Sequence, residues 1–370
     1  MKITHIITGL SRGGAEAVLT RLVMSDDSNT HEVIVLKDKG AYGDELVCSG
    51  VNVYSLGMTH GLIGIKSVVN LYRYLRKSKP DIVQTWMFHA DLIGGVVAML
   101  SGIKKIFWGV HAATVEKQPI KIKIIVRLCS LLSYFVPTKV ICCGIKAKQV
   151  MSDNFYNKSK LLIVHNGYDT NLFANDGNVI SRNVFSCEIS QDDFLIGFVA
   201  RWDKHKDIPN LLSALKYIVD DGVKIQCVFV GIELEESNTE LCKLIDSIGL
   251  FCNIHLLGCR NDISDFMRTV DICVLSSITE AFPNVLAESM ACGTPCVTTD
   301  VGDAKVIVGN TGWVVPHSNP KALGGAIIEA VSEKTKEKQW DQRKKECRDR
   351  IVDNFSLNNM VKNYNEIWNS

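Results

Sequence analysis

Apolar residues fall in short continuous runs, separated by stretches where they recur every three or four positions. The runs in the first part are KITHIIT, HEVIVLK, VNVYSLG, DIVQTWM, KKIFWGVH, KVICCG and LLIVHNG. Between them lie helical stripes such as Ile65, Val68, Val69, Tyr72 and Leu75. The second part repeats the alternation with DFLIGFVAR, KIQCVFVG, NIHLLG, DICVLSS, PCVTTD and TGWVVP. Apolar strands alternating with helices predict parallel sheets covered on both faces. The expected fold is α/β: two doubly wound, Rossmann-like domains facing a cleft. Residues 174–192 lack a sustained period and read as a linker. The expected organisation is a first domain over 1–173, a second over 193–352, and a terminal helix over 353–370 that returns to the first domain.

With 370 residues, 46% hydrophobic and 22% charged, the chain is long enough for two separate cores. The net charge of +1 conceals an asymmetry. Residues 1–173 hold 21 Lys/Arg against 12 Asp/Glu, and the remainder hold 20 against 28. A basic half joined to an acidic half points to an anionic partner for the first. The 13 cysteines form no Cys-x-x-Cys pairs, which argues against a zinc site, and most lie in apolar runs. Buried thiols suit a reducing compartment. No apolar run reaches membrane-spanning length, and the N-terminal one is too soon broken for a signal peptide. The expected location is cytoplasmic, with any membrane contact peripheral.

Ligands of doubly wound sheets sit beyond the carboxyl ends of the strands. The stretch SSITEAFPNVLAESMACGTPCVTTD follows one such strand and carries Glu280 and Glu288. Pro283 suits a first helical turn, and Gly293 a helix stop after about Ala291. Glu280 then lies in the loop and Glu288 inside the helix, placed to meet two parts of one elongated ligand. Amides around Ala281–Asn284 would donate to hydroxyls or anions. Acids near a helix start also complement its dipole, so the pair alone does not decide. Arg201 ends another strand and Lys206 follows it, which suits a diphosphate clamp as well as solvated surface. Gly13 and Gly14 follow the first strand, but the pattern is neither G-x-G-x-x-G nor a P-loop. That disfavours a nicotinamide dehydrogenase and a P-loop NTPase.

Taken together, LSRGGAE, HNGYD, VARWDKHKD, SSITEAFPNVLAESMACGTPCV and VGDAKVIVGNTGWVVP resemble the retaining glycosyltransferases of family 4 with the GT-B fold. The resemblance implies that Glu288 holds the nucleotide ribose, while Arg201 and Lys206 hold the diphosphate as it leaves. Glu280 and the amides of Phe282, Asn284 and Val285 would grip the donor sugar. His111 matches a residue near the transferred sugar and acceptor. Gly13 and Gly14 would line the cleft, with Asn166 in support. The family usually has valine where this chain has Tyr168. Preplaced cations would stabilise charge on the departing diphosphate, and the absence of an Asp-x-Asp pair leaves no metal or other cofactor required for that role.

Residues 104–148 carry nine basic side chains and one acid, Glu116. Within them, IKIKIIVRLCSLLSYFV is basic at its start and apolar afterwards. It reads either as a core helix with a basic edge or as a helix lying on an anionic membrane, and the charge asymmetry favours the second. The expected activity is transfer from a nucleotide diphosphate sugar, with uridine favoured, to a lipid-diphosphate-linked glycan in surface polysaccharide synthesis. Nucleic acid is not an expected partner. The alternatives are a sugar-nucleotide epimerase on the same fold, a GDP-mannose-dependent mannosyltransferase and a non-catalytic sugar-binding protein.

Overall fold

The computed structural model describes the chain except residues 59–63, 117, 175–181, 183–188 and 191. The chain divides into two compact units, one of Met1–Gly167 with Leu357–Ser370, the other of Tyr168–Ser356. In unit 1 the order is β1 (Lys2–Ile7), α1 (Gly14–Ser25), β2 (Thr30–Val35), α2 (Gly40–Cys48), β3 (Asn52–Ser55), α3 (Ile65–Ser78), β4 (Ile82–Trp86), α4 (Phe88–Leu100), β5 (Lys105–Val110), α5 (Ile120–Leu132), β6 (Lys139–Cys142), α6 (Ile145–Asp153) and β7 (Leu161–Ile163). Unit 2 follows with β8 (Phe194–Val199), α7 (Ile208–Asp220), β9 (Ile225–Val230), α8 (Thr239–Ser247), β10 (Ile254–Leu256), α9 (Ile263–Thr269), β11 (Ile272–Leu275), α10 (Asn284–Ala291), β12 (Cys296–Thr299), α11 (Ala304–Val308), β13 (Trp313–Val315), α12 (Pro320–Lys334) and α13 (Glu337–Phe355). The last helix, α14 (Leu357–Asn369), belongs to unit 1.

Each apolar run in the sequence is a strand. The sheet orders are β3-β2-β1-β4-β5-β6-β7 and β10-β9-β8-β11-β12-β13, with every pairing parallel. In both, the first strand lies between the second and the fourth, so the winding reverses beside it. That reversal opens a crevice at the carboxyl ends of β1 and β4, and likewise of β8 and β11.

The boundaries differ from those the sequence suggests. Unit 2 begins at Tyr168 rather than after residue 173, and most of the expected linker at 174–192 lies outside the described residues. Residues 353–355 still belong to α13, and the return begins at Leu357 because extended Ser356 (ψ 153°) ends that helix.

Three buried residues of α14, Met360, Tyr364 and Trp368, recur at fourfold spacing and enter the core formed by Ile3, Val33, Ile82 and Trp86. The Trp368 indole donates to Gln84 Oε1 (3.3 Å), and Lys105 Nζ donates to the Trp368 carbonyl (3.0 Å).

Beneath this helix runs a buried polar chain. Trp86 Nε1 lies 3.2 Å from His5 Nδ1, His5 Nε2 lies 2.9 Å from His31 Nδ1, and His31 Nε2 lies 3.1 Å from Asp26 Oδ2. An indole can only donate, so Nδ1 of His5 must accept. His5 then donates to His31, and His31 to Asp26. Both rings are thereby fixed as neutral tautomers. Burial and then the neighbouring His31 hold His5 well below its usual pKa. Burial also lowers His31, against the pull of Asp26.

Two outcomes follow from this packing. Trp368→Ala should destabilise unit 1 by about 3–5 kcal/mol, seen as unfolding at lower urea, and an unchanged midpoint would contradict the role given to α14. The histidines remain neutral when folded but take up protons in the unfolded chain below about pH 6.5. Their contribution is therefore complete above that pH and is lost as pH falls toward the folded pKa values. Unfolding free energy should decline from about pH 7 to about pH 5. His5→Gln should flatten that slope by up to about 1.4 kcal/mol per pH unit.

Candidate active site

In unit 2 the crevice is built from the loops after β8 and β11. Beyond β8, Asp203 Oδ1 accepts from the His205 N–H (2.8 Å) and caps a single 3-10 turn, Lys204–Lys206. Asp207 follows in the left-handed region (φ 48°) and turns the chain into α7. This turn is fastened to the neighbouring loop at two backbone points. Ser276 Oγ donates to the Lys206 carbonyl (2.6 Å), and the Ile278 N–H donates to the His205 carbonyl (2.9 Å). Lys206 Nζ then donates to Glu280 Oε1 at 2.6 Å, and Ser277 Oγ donates to the same oxygen at 2.8 Å.

The two predicted cations are not equivalent. The Lys206 side chain is 20% exposed and paired with Glu280. Arg201 is 61% exposed, with Nε 3.2 Å from Asp203 Oδ2. Burial pushes the Asp203 carboxyl up, but the His205 N–H and the Arg201 guanidinium outweigh it and hold it below its usual value.

Glu280 is supported from behind by Gly302, whose positive φ (54°) lets it lie against the carbonyls of Glu280 and Ala281. A Cβ at Gly302 would meet Ala281 O at 2.6 Å, so glycine is required there. Asp303 N–H donates to Ala281 O at 3.0 Å and completes the support. Pro283 is the N-cap of α10, one place earlier than the first-turn position expected. The first amides of such a helix have no intrahelical acceptor and point toward its start. Asn284, Val285 and Glu288 are half-buried along one side of α10, while Leu286, Ala287, Met290 and Ala291 are buried. Phe282 is different in kind. Its ring is 6% exposed and packs edge-on against Phe355 at 5.7 Å. Only its backbone is suited to a ligand.

Unit 1 holds the other predicted residues. Gly13 is the N-cap of α1 with extended backbone (φ −152°), and Gly14 begins the helix. A Cβ on Gly13 would meet the movable end of the Glu16 side chain, so its backbone does not by itself require glycine. His111 follows β5 and stacks on Trp86 at 5.4 Å with 26° between the rings. Burial lowers its pKa to about 4. It is neutral at pH 7 and poorly matched to general-base work there, which suits an orienting role better. Asn166 is buried near the end of β7.

The structure joins Lys206 to Glu280 directly, places Arg201 beside Asp203 in the loop after β8 and Phe282, Asn284, Val285 and Glu288 in the segment after β11, and holds Gly13, Gly14, His111 and Asn166 in unit 1. Sequence reasoning missed Ser277, Asp203 and Tyr168. Ser277 had a readable signal, a hydroxyl three residues before Glu280. Tyr168 was visible only as a departure from the family's valine; its hydroxyl donates to Asn284 Oδ1 at 2.7 Å.

Comparison with known proteins finds relatives along most of the chain. The family pattern described as glycosyl transferases group 1 matches residues 180–347, and that described as glycosyltransferase family 4 matches residues 12–172. An Escherichia coli relative, UDP-Gal:alpha-D-GlcNAc-diphosphoundecaprenol alpha-1,3-galactosyltransferase, is 26% identical over 82% of this chain and 79% of its own. The putative glycosyltransferase EpsF of Bacillus subtilis is 25% identical over 83% of this chain and 81% of its own. Among solved structures, Anabaena HepE in complex with UDP superposes with a TM-score of 0.84 at 19% identity, covering 99% of both chains. The chain belongs to family 4 of the glycosyltransferases and has their GT-B fold of two Rossmann-like units.

Proposed function

We propose that this glycosyltransferase moves a hexose or N-acetylhexosamine from a uridine diphosphate sugar, with retention, to a lipid-diphosphate-linked glycan during surface polysaccharide synthesis. One observation carries the reading: a lysine and a glutamate 2.6 Å apart at the reversal point of the unit 2 sheet, beside the start of α10. The printed names of relatives add support. The Escherichia coli protein is named for transfer from UDP-Gal to a diphosphoundecaprenol-linked sugar, and HepE is described with UDP and with UDP-glucose.

In this reading Glu288 holds the ribose, and Arg201 and Lys206 hold the diphosphate. Glu280 and the first amides of α10 hold the sugar. The bond from the sugar carbon to the phosphate oxygen breaks, and its electron pair stays on the diphosphate. The acceptor oxygen bonds to the same carbon on the same face, and its proton passes to the departing phosphate oxygen. The two cations stabilise the charge that develops there, in place of a divalent ion. Lys206 is held near the reaction by Glu280 before the donor arrives, so the cation is already placed and exchanges one anionic partner for another.

The acceptor side of the reading rests on α5. Ile120, Ile124, Leu128 and Leu131 are 70%, 54%, 44% and 56% exposed, and Phe135 beyond them is 80% exposed. A core helix would turn this stripe inward. Lys121 flanks it on one side and Lys123 and Arg127 on the other, an arrangement suited to an anionic lipid surface. Among the described residues no helix is long and apolar enough to cross a membrane. We infer peripheral attachment at the inner face of the cell membrane.

Arg201→Ala and Lys206→Ala should each lower kcat/KM tenfold or more and weaken UDP binding, from loss of roughly 1.5–3 kcal/mol of charge-assisted hydrogen bonding. Thermal stabilisation by UDP sugars and GDP-mannose identifies the donor. Wild-type turnover in both variants would refute the diphosphate role. Replacing Lys121, Lys123 and Arg127 together with glutamine should reduce flotation with phosphatidylglycerol-containing vesicles, and unchanged flotation would remove the membrane reading.

A further inference from the structure

Unit 2 begins with the segment 168–173, which is attached to both ends of α10. At the far end, Arg348 donates to the Ala291 carbonyl, to Phe173 O (2.8 Å) and to Thr170 O (3.1 Å). That attachment satisfies carbonyls that the end of a helix leaves over, and it is structural. At the near end the attachment is of another kind. Tyr168 is fully buried, and its N–H donates to Phe355 O (3.0 Å) beside a backbone bridge to Ser356. Its hydroxyl reaches Asn284 Oδ1 at 2.7 Å, on the first residue of α10.

The ring of Tyr168 and its hydroxyl do separate things. Packing and the backbone bonds hold the ring, and a phenylalanine would fill the same space. The hydroxyl adds one directional contact, to a half-buried side chain where α10 opens toward the proposed sugar site. The valine usual in the family at this position could make no such contact. Because the Tyr168 backbone is anchored to the Phe355 carbonyl, and the Phe355 ring also packs on Phe282, residues 282 and 284 are both held from one place.

We propose that Tyr168 is a positioning residue for the donor sugar. Its hydroxyl fixes Asn284 and the first turn of α10, and so sets which sugar that turn accepts. This rests on the donor-site reading above. Positioning at this level matters because a displacement of about 1 Å can lower a rate by about a hundredfold. The effect is selective: the diphosphate is held by the loop after β8 and the ribose by Glu288 one turn further on, so the hydroxyl should act on the sugar and not on the nucleotide.

The test compares wild type, Tyr168→Phe, Asn284→Ala and the double variant in full-length protein. The measurements are UDP affinity, and donor KM and kcat with UDP-glucose and UDP-galactose, which differ at one hydroxyl. The expected result for Tyr168→Phe is UDP affinity within about twofold of wild type, donor KM raised about five- to tenfold and a narrowed preference between the two sugars. The double variant should be no worse than Asn284→Ala alone. Equal loss for UDP and UDP sugar, an additive double variant, or an unchanged KM and preference would each overturn the proposal. Should Tyr168→Phe fail to fold, Asn284→Asp keeps an oxygen acceptor and Asn284→Leu does not. Preference retained in the first and lost in the second supports the proposal, and equal behaviour overturns it. A wild-type protein that uses neither UDP sugar refutes the donor-site reading itself, whereas normal donor use with a silent Tyr168→Phe refutes only the role of Tyr168.

Discussion

The contact between Lys206 and Glu280 is what makes one site out of two loops. In a doubly wound sheet the connections after β8 and β11 leave in opposite directions, which opens the crevice but also separates its walls. Here Ser276 and Ile278 hold the walls together through the backbone, and the ion pair spans them above. Both partners are about four-fifths buried, so each charge depends on the other. An incoming diphosphate would compete with Glu280 for the ammonium. Glu280 would keep the Ser277 hydroxyl as a donor and turn toward the sugar. One pair can thus hold the empty site in order and still give way to the ligand.

Unit 1 is organised by a different constraint, the one-way hydrogen bonding of tryptophan. The Trp86 indole orders the His5–His31–Asp26 chain, and the Trp368 indole draws α14 onto β4 through Gln84. Trp86 also stacks against His111 and Tyr364. The ring that fixes the buried histidines therefore also fixes the orientation of the one predicted site histidine. This gives His111 a physical reason for its placement that does not require it to exchange a proton.

The sheets were legible because strands covered on both faces must be apolar throughout, a pattern that needs no partner to be read. The placement of Glu280 and Glu288 was legible for a related reason, since Pro283 and Gly293 mark the ends of α10 from within the local sequence. What could not be read depends on contacts distant in sequence. Nothing near Tyr168 shows that its backbone pairs with Phe355 and Ser356, so unit 2 starts earlier than the local sequence suggests. Nothing near Lys206 shows that its partner is 74 residues away. The burial of the Phe282 ring against Phe355 is likewise invisible locally, whereas the reading of its amide depends only on its place before α10.

The α5 segment shows how exposure resolves what periodicity leaves open. Positions 120, 124, 128 and 131 fall within about 80° of one another at about 100° per residue, a pattern equally suited to core or surface. Only Val126, Cys129 and Ser130 of this helix are buried, on another side. The apolar stripe therefore faces outward, between flanking cations. Arg127 lies 4.8 Å over the ring of Phe155, which is itself 66% exposed, so the aromatic surface continues past the helix. Solvation alone accounts for the cations but not for an apolar stripe held between them. The anionic lipid surface proposed above would account for both, and for the excess of positive charge in unit 1.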